Sequence, residues 1–373
     1  KKTNNNQTAA IIFSSGSEGT PKGVELTHSN VMANVKQTAT VCNVIVSDVM
    51  LGVLPLFHSF GLTTSTLMPL LVGCPLICHA DPTDAPKIGK LVCQHKVTVM
   101  YGTSTFFNLY VRNRKCLAEM FASLRIIIAG AEKLSDKVRT EFKLKFNKDI
   151  FEGYGTTELS PVAGCNLPNI IDSNDMHVQV SNKINTVGLP LPGSAYKIVD
   201  PNTLETLPTG EDGLILVSGP QIMKGYLNNP EKTQSVIHED TDARWYKTGD
   251  KGHLDSDGFL TIVDRYSRFA KVAGEMISLG AVEERILERL SLENAEVIAV
   301  AVPNDKKGEV IYLVHNTPMP ADELKQHLIE FKLDNLMLPH GYLRVENIPK
   351  LGTGKKDYSS AKKSVLESIG KPK

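Results

Sequence analysis

Between Ala9 and Tyr154 short apolar runs alternate with helical patterns, and this alternation limits the fold more than any other feature of the chain. Runs at 9–13, 49–54, 76–79, 97–101, 124–129 and 150–154 predict strands. Segments 30–40, 62–71, 86–95, 104–112 and 136–146 carry apolar residues at helical spacing and predict helices. Strand–helix alternation predicts an α/β fold, a mostly parallel sheet covered by helices, with ligands beyond the carboxyl ends of the strands.

Past Ser181 the texture changes. Pro and Gly punctuate β-like runs at 195–199, 213–218 and 259–263, which predicts a small antiparallel or barrel-like subdomain. Near 264–267 it changes again, to a short α+β module with helices at 280–290 and 321–331 and strands at 296–302 and 310–315. The expected division is therefore 1–180, 181–264 and 265–373. The end, from Lys350 on, carries seven lysines and reads as a solvated helical tail.

Length and charge exclude several classes. At 373 residues two or three domains fit, and 41 basic against 41 acidic residues leave no net field to recruit nucleic acid or a membrane surface. Six cysteines without a CxxC pair predict reduced structural thiols of a cytoplasmic protein.

The stretch FSSGSEGTPKG, Phe13 to Gly23, sets Gly16, Gly19, Gly23 and Pro21 around Lys22, with Ser14, Ser15 and Ser17 beside them. Small hydroxyls and glycines let backbone N–H groups point at an anion, so phosphate is the first candidate. The spacing is not that of the kinase-type P-loop, because Gly16 and Gly19 are three apart and Gly23 follows Lys22. Taken alone, the stretch is equally an ordinary strand-to-helix loop.

Four further stretches bear on that choice. EGYGTTELSP (152–161) places an aromatic ring, hydroxyls and a carboxylate on one turn. Tyr154 offers a flat face to a base, Thr157 a donor to phosphate and Glu158 an oxygen ligand to Mg²⁺, which needs few carboxylates when phosphates complete its shell. WYKTGD (245–250) ends in Asp250, suited to vicinal ribose hydroxyls. VDRYSRFAKVAGEMIS (263–278) carries Arg265, Arg268, Lys271 and Gly274, and PKLGTGKKDY (349–358) sets Lys355 on a glycine loop.

Together these motifs resemble the adenylate-forming superfamily of acyl-CoA synthetases, luciferases and peptide-synthetase adenylation domains, over the chain from Ala9 to about Tyr358. SSGSEGTPKG is similar to its phosphate loop, YGTTE to its adenine and magnesium motif, YKTGD to its ribose motif and PKLGTGKKD to its catalytic-lysine loop. LPLFHSFGLT, YGTSTFF, AGAEKL, GPQIMKGYL and RFAKVAGEMISL resemble more narrowly the acyl-[acyl-carrier-protein] synthetase portion of bifunctional 2-acylglycerophosphoethanolamine acyltransferases.

The resemblance implies a nucleotide- and acyl-binding α/β region, a β-rich subdomain and a mobile C-terminal α+β module. It implies ATP and Mg²⁺ as cofactors, a fatty acid as substrate and a phosphopantetheine thiol, of acyl carrier protein or CoA, as acceptor. The product would feed acylation of a lysophospholipid in a longer parent protein on the cytoplasmic side of an inner membrane. Membrane contact would come only through the acyltransferase part.

Ser14, Ser15, Gly16, Ser17, Gly19 and Lys22 would surround the phosphates, with Thr156, Thr157 and Gly155 nearby and Glu158 on the metal. Tyr154 would stack on adenine, Gly130, Ala131 and Glu132 would line its edge, and Asp250 and Arg265 would hold the ribose. Lys355 would stabilise the transition state of acyl-AMP formation, with its neighbour Lys356 dispensable by comparison. His58, Phe60 and Thr103 are candidates for the acyl-slot wall, His58 reading nearly as well as a core histidine; Lys271 and Gly274 would face the thiol.

Three departures stand out. Glu18 replaces the Thr common in the wider family, Ser267 sits at a hinge position that usually carries Lys or Asp, and few residues precede the phosphate loop, so a fragment of a larger protein is expected. An amino-acid-activating domain and a nucleotide-binding module without turnover remain the rival readings.

Overall fold

The computed structural model describes residues 4–14, 21–290, 292, 295–304, 307–351 and 355–370. It divides into two compact units, the first ending at Val263 and the second beginning at Asp264. Among the described residues no helix is long and apolar enough to cross a membrane.

The first unit opens differently from the alternation in the sequence. Strand β1 (Thr8–Ser14) does not join a parallel sheet; it pairs antiparallel with β2 (Lys22–Thr27), in one register from Ala10↔Leu26 to Ser14↔Lys22 after a shift between Thr8 and Ala10. The glycine-rich stretch therefore joins two strands, not a strand to a helix. KGVELT carries a period-two pattern, with Val24 and Leu26 buried, too short to stand out beside the glycines. Helix α1 (His28–Val41) begins two residues earlier than expected, because Thr27 accepts from the Asn30 N–H while the Asn30 side chain accepts from the Thr27 N–H.

Strands β3 (Met50–Gly52), β4 (Leu76–Cys78), β5 (Val99–Gly102), β6 (Ile126–Ala129) and β7 (Phe151–Gly155) form the expected parallel array. Across the sheet the order runs from the short strand Leu189–Pro190 through β8 (Val162–Cys165), β7, β6, β5 and β3 to β4, the first two pairing antiparallel. The helices Ala85–His95, Ser104–Arg112 and Asp136–Phe146 bury one stripe each. Phe107, Phe121, Phe142 and Phe146 pack edge-on or tilted on one another beneath them. Each such ring removed from water stabilises by about 2–3 kcal/mol.

The helix expected at 62–71 is broken into Ser59–Leu62, a π-turn Thr63–Leu67 and Met68–Val72. Thr64 and Thr66 turn their hydroxyls onto the carbonyls of Phe60 and Gly61, and Pro69 has no N–H to continue the ladder.

The β-rich stretch from 181 forms an antiparallel sheet of Ala195–Val199, Gly213–Ser218, Arg244–Leu254 and Ile237–Glu239. Its Ile198, Ile215, Val217, Tyr246 and Leu260 lie in the same hydrophobic cluster as the parallel sheet. That face of the sheet packs into the core of the parallel-sheet region.

In the second unit, strands Val297–Asn304 and Gly308–His315 pair antiparallel, flanked by the hairpin Phe269–Val272/Glu275–Ser278 and the parallel strand Gly341–Arg344. Alternation splits the unit's interior in two. Val297, Ala299 and Ala301 face helices Leu279–Leu290 and Ala321–Glu330, while Ile298, Val300 and Val302 face helix Tyr358–Ile369. The lysine-rich end is therefore not a solvated tail: Ala361 and Val365, four apart, are fully buried.

Candidate active site

The parallel array brings three strand ends side by side. Gly102 lies opposite Ala129, and Ala129 opposite Glu152, so the segments after β5, β6 and β7 emerge together. They present Thr103, then Gly130, Ala131 and Glu132, then Tyr154 to Glu158. From the broken helix, Phe60 packs edge-on against Tyr101 with centroids 5.8 Å apart. A Cβ on Gly130 would stand 3.0 Å from the far end of the Phe60 ring, so the backbone there leaves room for the ring alone.

Two pairs organise the site. The Tyr154 hydroxyl donates to Asp250 Oδ2 at 2.5 Å, joining residues 96 apart in sequence. Asp250 is buried, and its N–H donates to Thr248 Oγ1 beside Gly249, whose φ of 75° makes the turn. The Tyr226 hydroxyl donates to Glu158 Oε1 at 2.8 Å, fixing the direction of that carboxylate. Lys22 Nζ lies 5.9 Å from the centroid of the same Tyr226 ring, which connects β2 to Glu158. Thr157 Oγ1 and Ser59 Oγ are 3.3 Å apart. Tyr246 is buried among these groups. Burial first, then the charge of Glu158, holds its phenol well above the ordinary value, so it stays protonated.

Other expected residues have local duties. His58 Nδ1 accepts from the Phe60 N–H and caps that turn, half-buried rather than in the core. Thr103 caps helix Ser104–Arg112 through the Phe106 N–H. Glu132 accepts from the Thr105 N–H at 2.6 Å, which leaves the backbone of 130–132 as the edge a base would meet. Gly155 answers to the chain itself, since a Cβ there would stand 1.9 Å from the Pro161 carbonyl oxygen. Ser14 ends β1 directly opposite Lys22, whereas Ser15, Gly16, Ser17 and Gly19 lie outside the described residues.

The donor set fits the cofactors. One oriented carboxylate, Glu158, suits an Mg²⁺ ion that completes its shell with water and phosphate oxygens. Among the described residues the buried Thr156 hydroxyl has no partner, as a group awaiting a ligand oxygen would.

A model of the AMP-binding enzyme family matches residues 1–227. The chain belongs to the AMP-binding enzyme family. It is 30% identical over 352 residues to the long-chain-fatty-acid–CoA ligase of Salmonella typhimurium, covering 93% of this chain and 60% of that protein. It is 31% identical over 357 residues to a probable 4-coumarate–CoA ligase of Dictyostelium discoideum, covering 93% and 62%. The chain thus spans about three-fifths of the length of these relatives. Among solved structures, ATP-bound MatB from Rhodopseudomonas palustris superposes with a TM-score of 0.83 at 24% identity, over 100% of this chain and 70% of that one. O-succinylbenzoate coenzyme A synthetase from Bacillus subtilis, in complex with AMP, gives 0.78 at 26% identity, over 95% and 68%. The α/β fold is that of adenylate-forming enzymes.

In this AMP-binding enzyme the remaining candidates lie in the second unit. Arg265 follows Asp264, whereas Asp250, expected on the same ribose, is in the first unit. Lys271 is exposed on a strand whose partner hairpin turns at Ala273 and Gly274, with φ of 51° and 93°. Lys355 accepts through its carbonyl from the Leu351 N–H. The neighbouring Lys356 Nζ donates to the buried Glu283 at 2.8 Å. Sequence reasoning also assigned no role to Tyr226, Tyr246 or Ser59. They stand inside GPQIMKGYL, WYKTGD and LPLFHSFGLT, quoted as motifs, but nothing local marks their partners.

Proposed function

We propose that the chain is the adenylating part of an acid–thiol ligase, which joins a fatty acid to ATP as acyl-AMP and passes the acyl group to a phosphopantetheine thiol. The reading rests on one observation above all. The pairs Tyr154–Asp250 and Glu158–Tyr226 gather at the carboxyl ends of parallel strands and supply, in one place, a flat ring, a ribose-binding carboxylate and an oriented metal ligand. The names of the fatty-acid and coumarate ligases among its relatives support the substrate class.

The chain's own groups do little covalent work. The fatty carboxylate attacks the α-phosphorus and pyrophosphate leaves; then the thiol attacks the acyl carbonyl and AMP leaves. Mg²⁺, when bound, neutralises phosphate charge. Lys22 and Thr157 hold phosphate oxygens, Asp250 and Arg265 the ribose hydroxyls, and Tyr154 the base. Lys355 meets the charge that grows in the first half-reaction, and losing such a donor costs about 10²–10³-fold. Lys271 and Gly274 serve the thiol in the second.

Two acceptors are in play. The narrower motif resemblance favours acyl carrier protein, with transfer onward to a lysophospholipid by a longer parent, while the relatives named above favour CoA. Pyrophosphate exchange measured with a fatty acid, with an amino-acid mixture and with no acid tests the first half; thioester yield with carrier protein against CoA tests the second. Exchange that needs an amino acid, or none with any acid, would overturn the proposal.

A further inference from the structure

In the second unit one buried carboxylate serves two cations. Glu283, on helix Leu279–Leu290, accepts from Arg268 Nη2 at 2.6 Å through Oε1 and from Lys356 Nζ at 2.8 Å through Oε2. The Ala299 N–H donates to the same Oε1 at 2.9 Å. Arg268 reaches further, donating to the Tyr358 hydroxyl at 3.2 Å and lying 4.0 Å from the centroid of that ring. The side chains of Glu283, Arg268 and Lys356 are 7%, 17% and 25% exposed, too enclosed for an ordinary surface ion pair.

The backbone around Lys355 is zipped at the same place. Lys350 and Lys356 form an antiparallel bridge, the Leu351 N–H donates to the Lys355 carbonyl, and the Asp357 N–H donates to the Pro349 carbonyl. Lys350 is tied in turn to Glu296 at 2.8 Å. In extended chain, neighbouring side chains leave on opposite faces. Pinning Lys356 to Glu283 therefore fixes the face on which Lys355 departs. Arg268 carries the restraint to the segment at which the chain enters this unit.

We propose that Glu283 and Lys356 are positioning residues for Lys355, their ion pair setting the direction of the lysine that meets substrate. This rests on the reading of Lys355 given above. The distances among Glu283, Arg268, Lys356 and Tyr358 motivate it, since none of these contacts is needed merely to end a loop. Breaking a buried, hydrogen-bonded pair frees the local backbone to open.

The test uses the whole chain and two readouts. In the first, all lysines are acylated briefly with an amine-reactive acetyl ester, and the rate at Lys355 is followed by mass spectrometry against the exposed Lys363. Lys356→Met and Glu283→Gln should each raise the Lys355 rate about tenfold, with Lys363 unchanged and Lys356→Arg close to the parent. In the second, Lys356→Met should lower kcat for acyl-AMP formation about tenfold with KM for ATP nearly unmoved, and cost nothing more once Lys355→Ala is present. An unchanged Lys355 labelling rate in Lys356→Met would overturn the proposal, as would losses that multiply in the double variant. If Lys355→Ala itself leaves adenylation intact, the catalytic reading of Lys355 falls and the proposal falls with it. If Lys355→Ala cripples adenylation while Lys356→Met does nothing, only the positioning role is lost.

Discussion

A methyl group at Gly130 would meet the Phe60 ring at 3.0 Å, and that ring has Tyr101 behind it. Gly130→Ala should therefore displace Phe60 and cost about 1–3 kcal/mol, measured by urea denaturation, with a matching loss of fatty-acid affinity if Phe60 walls the acyl slot. At Tyr226 the contact is polar instead. Tyr226→Phe keeps the ring beside Lys22 and removes only the donor to Glu158. Partners of a ligating carboxylate typically matter by 10–100-fold, so calorimetry should show MgATP bound about tenfold more weakly, with a stability loss of about 1–3 kcal/mol from the buried carboxylate's lost donor. Equal affinity would mean that Glu158 does not bind the metal. Gly130, Phe60 and Glu158 were all named from the sequence, but the contact between the first two and the Tyr226 partner of the third were not.

Between elements, the ion pair of Asp48 and Arg125 ties the end of α1 to the start of β6. Arg125 Nε and Nη2 hold the two oxygens of Asp48, Thr98 donates at 2.6 Å, and Arg125 also reaches the carbonyls of Cys42 and Asn43. Burial alone would raise the Asp48 carboxyl, but the hydrogen bonds from Arg125, Thr98 and the Ile45 N–H outweigh it and hold the group at about 2. A folded value below the unfolded one means stability that is complete above about pH 4 and is lost as pH falls toward 2. The amount is about 2 kcal/mol. Asp48→Asn should therefore lower stability at pH 7 and flatten its decline from pH 5 to 3, read from denaturant melts of both proteins. In the second unit, the hairpin turn sets Gly274 at a φ of 93° with nothing within 4 Å of where a Cβ would stand. Gly274→Ala should cost about 1 kcal/mol from backbone strain, read from denaturant melts; a loss of thioester formation with adenylation intact would support the proposed role of Gly274 toward the thiol.

At the scale of the molecule the two units keep separate cores, and acid acts on them at different pH. His315, fully buried in the second unit, has a value lowered by burial and then by Arg344; Thr317 pairs with its Nδ1, and the ring stands edge-on to Tyr342, a phenol that burial pushes up to about 12. A histidine depressed in the folded state contributes stability that is complete above about pH 6.5 and declines below it. Trp245, the single tryptophan, is buried in the first unit and reports on that unit alone. From pH 7 to 5.5, melts followed by circular dichroism should acquire an earlier transition that Trp245 fluorescence does not show, and His315→Asn should remove most of that shift. Tryptophan and dichroism signals moving together would refute the separate response.

What the sequence determined by itself was local. Strands of the parallel array and helices 104–112 and 136–146 are legible because strand and helix periods and turn chemistry act within about ten residues, and YGTTE and WYKTGD stand out as motifs through their resemblance to a family. Tertiary structure decided whatever depends on a partner far along the chain. A period-two pattern suits either neighbour, so only packing shows that β1 pairs back on β2 and that Ile198, Ile215 and Val217 join the core of the parallel sheet. Tyr154 finds Asp250 across 96 residues and Tyr226 finds Glu158 across 68. Lys355 and Lys356 are the same residue type in the same loop, and the pairing of Lys356 with Glu283, 73 residues away, has no local signal. A buried carboxylate selects its cation by distance in space, and adjacent lysines in extended chain face opposite sides.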